Sequence, residues 1–108
     1  MHTAKLAALR NGLLEFLVLE IVSTGDVYVA DILGRLATTD FATREGTLYP
    51  LLSRMRRDGL VDYDWRESTA GPPRKYYRLT PDGQAQLDHF RAYWASLTTL
   101  IDELGRNR

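Results

Sequence analysis

Cysteine is missing from the 108 residues, which removes disulfide scaffolding, thiolate nucleophiles and zinc–thiolate sites in one step. Histidine is nearly missing too. His2 stands in the opening segment and His89 beside Asp88, and neither has a second histidine near it. No glycine-rich phosphate loop of the nucleotide-binding kinds is present. Asp62 and Asp64 share one strand face, the ordinary pattern of a solvated strand. No catalytic residue, no metal ligand and no cofactor is therefore expected. Long apolar runs are lacking as well, because Arg10, Asn11, Glu15 and Glu20 interrupt the best candidate short of the ~18 residues a membrane span needs. The opening Met1-His2-Thr3-Ala4-Lys5 has neither the charged-then-apolar order nor the small-residue cleavage site of a secretory signal. The expected location is the cytoplasm, with no membrane partner.

Net charge is the last thing the chain lacks, since 14 basic and 14 acidic residues cancel. Their placement is uneven. Between Thr43 and Arg78 stand eight basic residues (Arg44, Arg54, Arg56, Arg57, Arg66, Arg74, Lys75, Arg78) and five acidic ones, so that segment is +3 and the remainder −3. Such an asymmetry fits one basic working face on an acidic body.

What is present is a one-domain length with 44% apolar residues, two Trp, six Tyr and three Phe, enough for a modest core. A first helix is predicted from about Lys5 to Thr24, apolar on nearly all sides through Leu6, Leu9, Leu13, Leu14, Phe16, Leu17, Val18, Leu19, Ile21 and Val22. So much apolar surface needs cover on more than one face, which implies a partner. Gly25 then stands where a helix end takes a left-handed residue. Val29, Ile32, Leu33 and Leu36 predict a second helix over about Tyr28 to Thr38. The spacing of Leu48, Leu51, Leu52 and Met55 predicts a third over roughly Arg44 to Asp58, with Thr43 as its N-cap and Gly59 as its C-terminal glycine.

The period then drops to two. Val61, Tyr63 and Trp65 alternate with Asp62, Asp64 and Arg66, and Arg74 to Leu79 reads as a return strand. Glu67 to Pro73 reads as the turn between them, a loop of more than two residues with a rigid Pro-Pro tip. Thr80-Pro81-Asp82 opens a final helix to about Leu104, roughly 36 Å long, with Thr80 as cap and Asp82 at the positive end of the dipole. Its apolar residues Leu87, Phe90, Trp94, Leu97, Ile101 and Leu104 follow 3-4-3-4-3 spacing, a heptad seam that wants another helix against it.

Three helices followed by a hairpin is the order of a winged helix-turn-helix, an α+β fold that is mostly α. The expected division is 1–80 for the winged domain and 81–108 for a dimerisation helix, in one compact unit. The third helix has a polar, basic face that suits a major groove. Thr47 and Tyr49 would meet bases and Arg54 and Arg57 phosphates, with Arg44 and Glu45 at its start. On the wing, Pro73, Arg74, Lys75 and Tyr77 would reach the adjacent backbone or minor groove. Dimerisation is expected through Leu13, Leu17, Leu87, Phe90, Trp94, Leu97, Ile101 and Leu104. The alternative on the same residues is a winged-helix module that binds an acidic protein instead of specific DNA.

Glu45-Gly46-Thr47-Leu48-Tyr49-Pro50, Arg54, Asp58-Gly59-Leu60-Val61 and the run Gly71-Pro72-Pro73-Arg74-Lys75-Tyr76-Tyr77-Arg78-Leu79-Thr80-Pro81-Asp82-Gly83 resemble the PadR family of transcriptional regulators. Arg10-Asn11-Gly12-Leu13-Leu14-Glu15-Phe16-Leu17-Val18-Leu19 is similar to that family's first helix. The resemblance covers almost the whole chain, and its short end is similar to the subfamily with a single C-terminal helix. It implies a homodimeric repressor bound to a pseudo-palindromic DNA operator. One run departs from the family, whose second helix often begins His-Gly-Tyr before an acid and Ile; here Tyr28-Val29-Ala30 precedes Asp31-Ile32. Some PadR regulators sense planar aromatic compounds, which implies a small aromatic effector held by Leu9, Leu13, Phe90 and Trp94 near the two-fold axis. The competing role of Trp94 is that of a plain dimer-core residue.

Overall fold

Leu48, Leu51, Leu52 and Met55 recur at the spacing that puts them on one side of a helix, and all four are buried. They form the centre of a core that the other elements close. The computed structural model describes residues 4–106, arranged as α1 (Ala4–Val22), α2 (Val29–Leu36), α3 (Glu45–Arg57), β1 (Val61–Ser68), β2 (Gly71–Leu79) and α4 (Pro81–Arg106). The order is that of a winged helix-turn-helix with a trailing helix, as the sequence predicts. His2 lies outside the described residues.

The evenly spread apolar residues of α1 find cover unequally. Val18, Leu19 and Val22 are buried in the core, and Leu14, Phe16, Leu17 and Ile21 pack on it in part. Nearer the start, Leu9 stays 54% exposed. Gly25 takes a positive φ of 137° in the turn that follows. Val27 then pairs with Tyr77 across an isolated bridge, closed by hydrogen bonds in both directions at 3.1 and 2.6 Å. Tyr28 precedes α2, and its N–H donates to the Asp31 carboxylate at 3.3 Å. Val29, at the position of the family's glycine, is a core residue.

Helix α3 begins one residue later than its expected start, with Arg44 rather than Thr43 in the N-cap position and no side-chain cap bond. The Arg44 carbonyl instead accepts from the N–H groups of Thr47 and Leu48, at 3.0 and 2.9 Å. Its far end follows expectation. Gly59 has φ 78°, and the N–H groups of Gly59 and Leu60 donate to the carbonyls of Arg56 and Met55, the two bonds of a Schellman ending.

The hairpin is longer and tighter than the sequence suggests. Ser68 pairs with Gly71, so only Thr69 and Ala70 lie between the strands. The prolines belong to β2, not to a loop. Arg66 pairs with Arg74 and Ser68 with Gly71, which sets Pro72 and Pro73 opposite the single Glu67. Two residues against one is a β-bulge, a place where a strand tolerates residues that cannot donate to the ladder. The same strand face passes from Val61, buried, through Tyr63, half-buried, to Trp65 at 62% exposure.

Helix α4 is anchored at its start by the expected cap: the Gly83 N–H donates to the Thr80 hydroxyl oxygen at 2.9 Å. That hydroxyl in turn donates to the Gly59 carbonyl at 2.5 Å. Gly83 lies so close to Leu60 that a Cβ there would overlap the Leu60 carbonyl oxygen. The close approach buries Leu87 completely and stacks Phe90 on Phe16, ring centroids 3.8 Å apart. Beyond Phe90 the helix runs away from the body, giving the molecule extents of 61 × 31 × 21 Å.

Candidate nucleic-acid interface

With its core stripe turned inward, α3 has three other strips of surface. At 3.6 residues per turn, Gly46, Pro50, Ser53 and Arg57 share the outermost strip. Thr47 and Arg54 fall on the flank toward α1, where Arg54 meets the Glu15 carboxylate at 3.2 Å. Glu45, Tyr49 and Arg56 fall on the flank toward the wing. Pro50 has no N–H to return to Gly46, which leaves that carbonyl of the exposed strip without its helical partner.

Charge pairing sorts the eight cations of the basic segment into two sets. Arg54 pairs with Glu15, Arg56 with Asp62 at 3.2 Å, Arg78 with Asp64 at 2.6 Å, and Arg66 with Asp26. Asp62 has its carboxyl held below the usual range, first by the Tyr63 N–H and then by Arg56. Arg44, Arg57, Arg74 and Lys75 have no carboxylate partner among the described residues. These four stand at the start of α3, at its end, and on the wing. Two of them rest on rings: the Arg74 guanidinium lies 4.6 Å over Tyr28, and the Lys75 ammonium 4.5 Å over Tyr63 and 5.3 Å over Trp65. Cations left unmatched on a small domain attract polyanions.

The two reading elements face each other across a groove of about 440 Å³, lined by Glu45 and Tyr49 of α3, by Trp65, Pro73, Arg74 and Lys75 of the wing, and by the start of α2 at Tyr28. Of the expected contact residues, then, Glu45, Tyr49, Pro73, Arg74 and Lys75 come together. Thr47 and Arg54 stand apart, beside α1. Tyr77 does not belong to the contact surface. It is 4% exposed, paired with Val27, and burial pushes its phenol pKa up. Alternation along β2 puts Tyr77 on the face of Lys75, but nearer the hairpin's base, where the core covers it. Tyr28 and Trp65 were not singled out for this surface. The exposed Trp at the outer end of an alternating strand is the one signal that could have found the second.

The family model for PadR-like transcriptional regulators matches residues 18–89, more than half of the chain. The chain belongs to the PadR-like family of transcriptional regulators. The transcriptional regulator Rv3488 of Mycobacterium tuberculosis is 34% identical over 74 residues, 68% of each chain. A PadR-like transcription factor from Bacteroides fragilis superposes with TM-score 0.81 at 37% identity, covering 94% of this chain and 99% of its own. A PadR-like regulator from Bacillus cereus gives 0.81 at 33% identity, with the same coverage. DNA-binding regulation of transcription is thus this chain's activity, and the family is one of regulators, not enzymes.

Five of the nine exposed large apolar residues of the described PadR-like chain stand elsewhere, on α4. Leu87, expected in the dimer seam, is instead sealed in the chain's own core because Gly83 lets α4 approach. Trp94, Ile101 and Leu104 of that seam are exposed, as are Tyr93 and Leu100 beside them. Between α1 and α4 an apolar recess of about 280 Å³ is lined by Leu13, Leu17, Phe41, Phe90 and Trp94. Leu9 is not part of it, and Phe41, from the loop before α3, is the lining residue the sequence did not indicate. No helix of the described residues is long and apolar enough to cross a membrane.

Proposed function

We propose that this PadR-like chain is a homodimeric, sequence-specific repressor that binds a pseudo-palindromic operator. The observation that carries the DNA-reading part is the set of four unmatched cations: Arg74 and Lys75 in the groove, Arg57 on the exposed helix strip and Arg44 at the start of α3. Helix α3 enters the major groove through the strip of Gly46, Pro50, Ser53 and Arg57, flanked by Tyr49 and Glu45, and the wing follows the neighbouring backbone. The exposed Trp94, Ile101 and Leu104, with Leu97 half-buried between them, support pairing with the same helix of a second copy. Two reading heads joined this way bind half-sites about one helical turn apart. Dissociation constants are compared for a fragment of the chain's own promoter and for random duplex at about 150 mM salt. At least hundredfold preference for the promoter is expected. Equal binding to both sinks the reading and leaves the basic face to an acidic protein partner.

The recess beside Trp94 supports a further element of the same reading, a planar aromatic effector that alters the spacing of the heads. Such compounds should change Trp94 emission and weaken operator binding together. Unchanged emission with unaltered operator affinity would leave Trp94 a dimer-core residue only.

A further inference from the structure

Trp65 is the largest side chain that the winged head leaves in water. It continues the strand face that buries Val61, yet the fold makes little use of it: an edge contact with Tyr63 at 6.2 Å, and Lys75 above its ring. Its neighbours give it a task. The groove between α3 and the wing is lined by Trp65 and Lys75, cross-strand partners on one face of the hairpin, by Arg74 from the next position of β2, and by Tyr49 and Glu45 of α3. When a recognition helix fills a major groove and a wing reaches the adjoining minor groove, the sugar–phosphate strand separating those grooves passes between the two elements. A deoxyribose offers an apolar face and its flanking phosphates offer charge. The groove matches both, with an indole for the sugar and two unmatched cations against one acid for the phosphates. Tyr28 lies under the Arg74 guanidinium and against Tyr76, ring centroids 5.4 Å apart, so the cation is held in place before any ligand arrives.

We infer that this groove cradles one strand of the duplex, with Trp65 packed on a deoxyribose and Arg74, propped on Tyr28, on a flanking phosphate. The inference rests on the DNA-binding reading above and names the part of the duplex that this groove takes. The sugar is the same at every position and its burial releases no counterion, so Trp65 adds affinity without sequence preference and without salt dependence.

Labelled-duplex anisotropy with the full chain, on the promoter fragment and on random duplex at several salt concentrations, tests this. Trp65→Ala is expected to weaken both duplexes about tenfold. It should leave the salt slope and the melting temperature unchanged, and Trp65→Phe should recover most of the loss. Arg74→Ala should also weaken both but lower the slope of log K against log salt by about 1. Wild-type affinity in Trp65→Ala, or a loss confined to one of the two duplexes, overturns the inference while the DNA-binding reading stands. A wild-type chain that binds neither duplex overturns that reading, and the inference with it.

Discussion

The winged head and the outer half of α4 leave opposite things unfinished. The head gathers most of its apolar residues, with Leu87 of α4, into one core of fourteen buried side chains and leaves Arg44, Arg57, Arg74 and Lys75 without carboxylate partners among the described residues. Along α4 both arginines are paired instead: Arg91 chelates Glu20 at 2.9 and 2.7 Å, and Arg106 pairs with Asp102. What that helix leaves over is apolar, with Ile101 at 62% and Leu104 at 65% exposure. A surplus of positive charge calls for a polyanion, and a surplus of apolar helix calls for another apolar helix. The two proposed partners, a duplex and a second copy, thus fall to different regions of the chain, and substitutions can break one surplus without the other.

Gly83→Ala should have the largest effect. Its methyl meets backbone that cannot yield, so α4 separates from the α3–β1 turn at a cost of about 4 kcal/mol, measurable by denaturant unfolding. A loss below about 1 kcal/mol would show that the junction is loose. Leu87→Ala is expected to cost about 3 kcal/mol by leaving a cavity in the core, which places this seam position with the head. Ile101→Asp marks the other side of the comparison. It should convert a dimer to a monomer in sedimentation while the helical circular dichroism of the head is retained. A dimer that survives this change would remove α4 as the pairing surface.

The smallest effect concerns the clamp between α1 and α4. The Arg91 hydrogen bonds hold the Glu20 carboxyl below its ordinary pKa. A depressed folded-state value means the clamp's stability is present above the unfolded carboxylate range and is lost as pH falls through the folded value. The stability difference between wild type and Glu20→Gln should thus be about 1 kcal/mol or less at pH 7 and shrink as the pH falls below the ordinary carboxylate range. A difference that grows on acidification would contradict the assignment.

Much of this was readable in the residues. The Thr80 cap, the Gly59 ending and the alternation of Val61, Tyr63 and Trp65 are local signals, and local hydrogen bonds or backbone preferences enforce them. Pro72-Pro73 misled because proline does read as a strand breaker, and only the register opposite Glu67 reveals the bulge that accepts it. Leu87 keeps perfect heptad spacing, yet its burial is decided by the missing Cβ of Gly83 one turn earlier. The site was half legible. Local sequence placed the basic segment, but which cations stay unmatched depends on carboxylates far off in the chain, Glu15 for Arg54 and Asp26 for Arg66. Phe41 and Tyr28 reached the recess and the groove through loop paths that no periodicity records.

The central claim, that unmatched cations read the duplex, is met most directly by the salt dependence of operator binding across eight single substitutions. Alanine at Arg44, Arg57, Arg74 or Lys75 should each lower the slope of log K against log salt by about 1, while alanine at Arg54, Arg56, Arg66 or Arg78 should change it little. Equal reductions in the two sets would contradict the account.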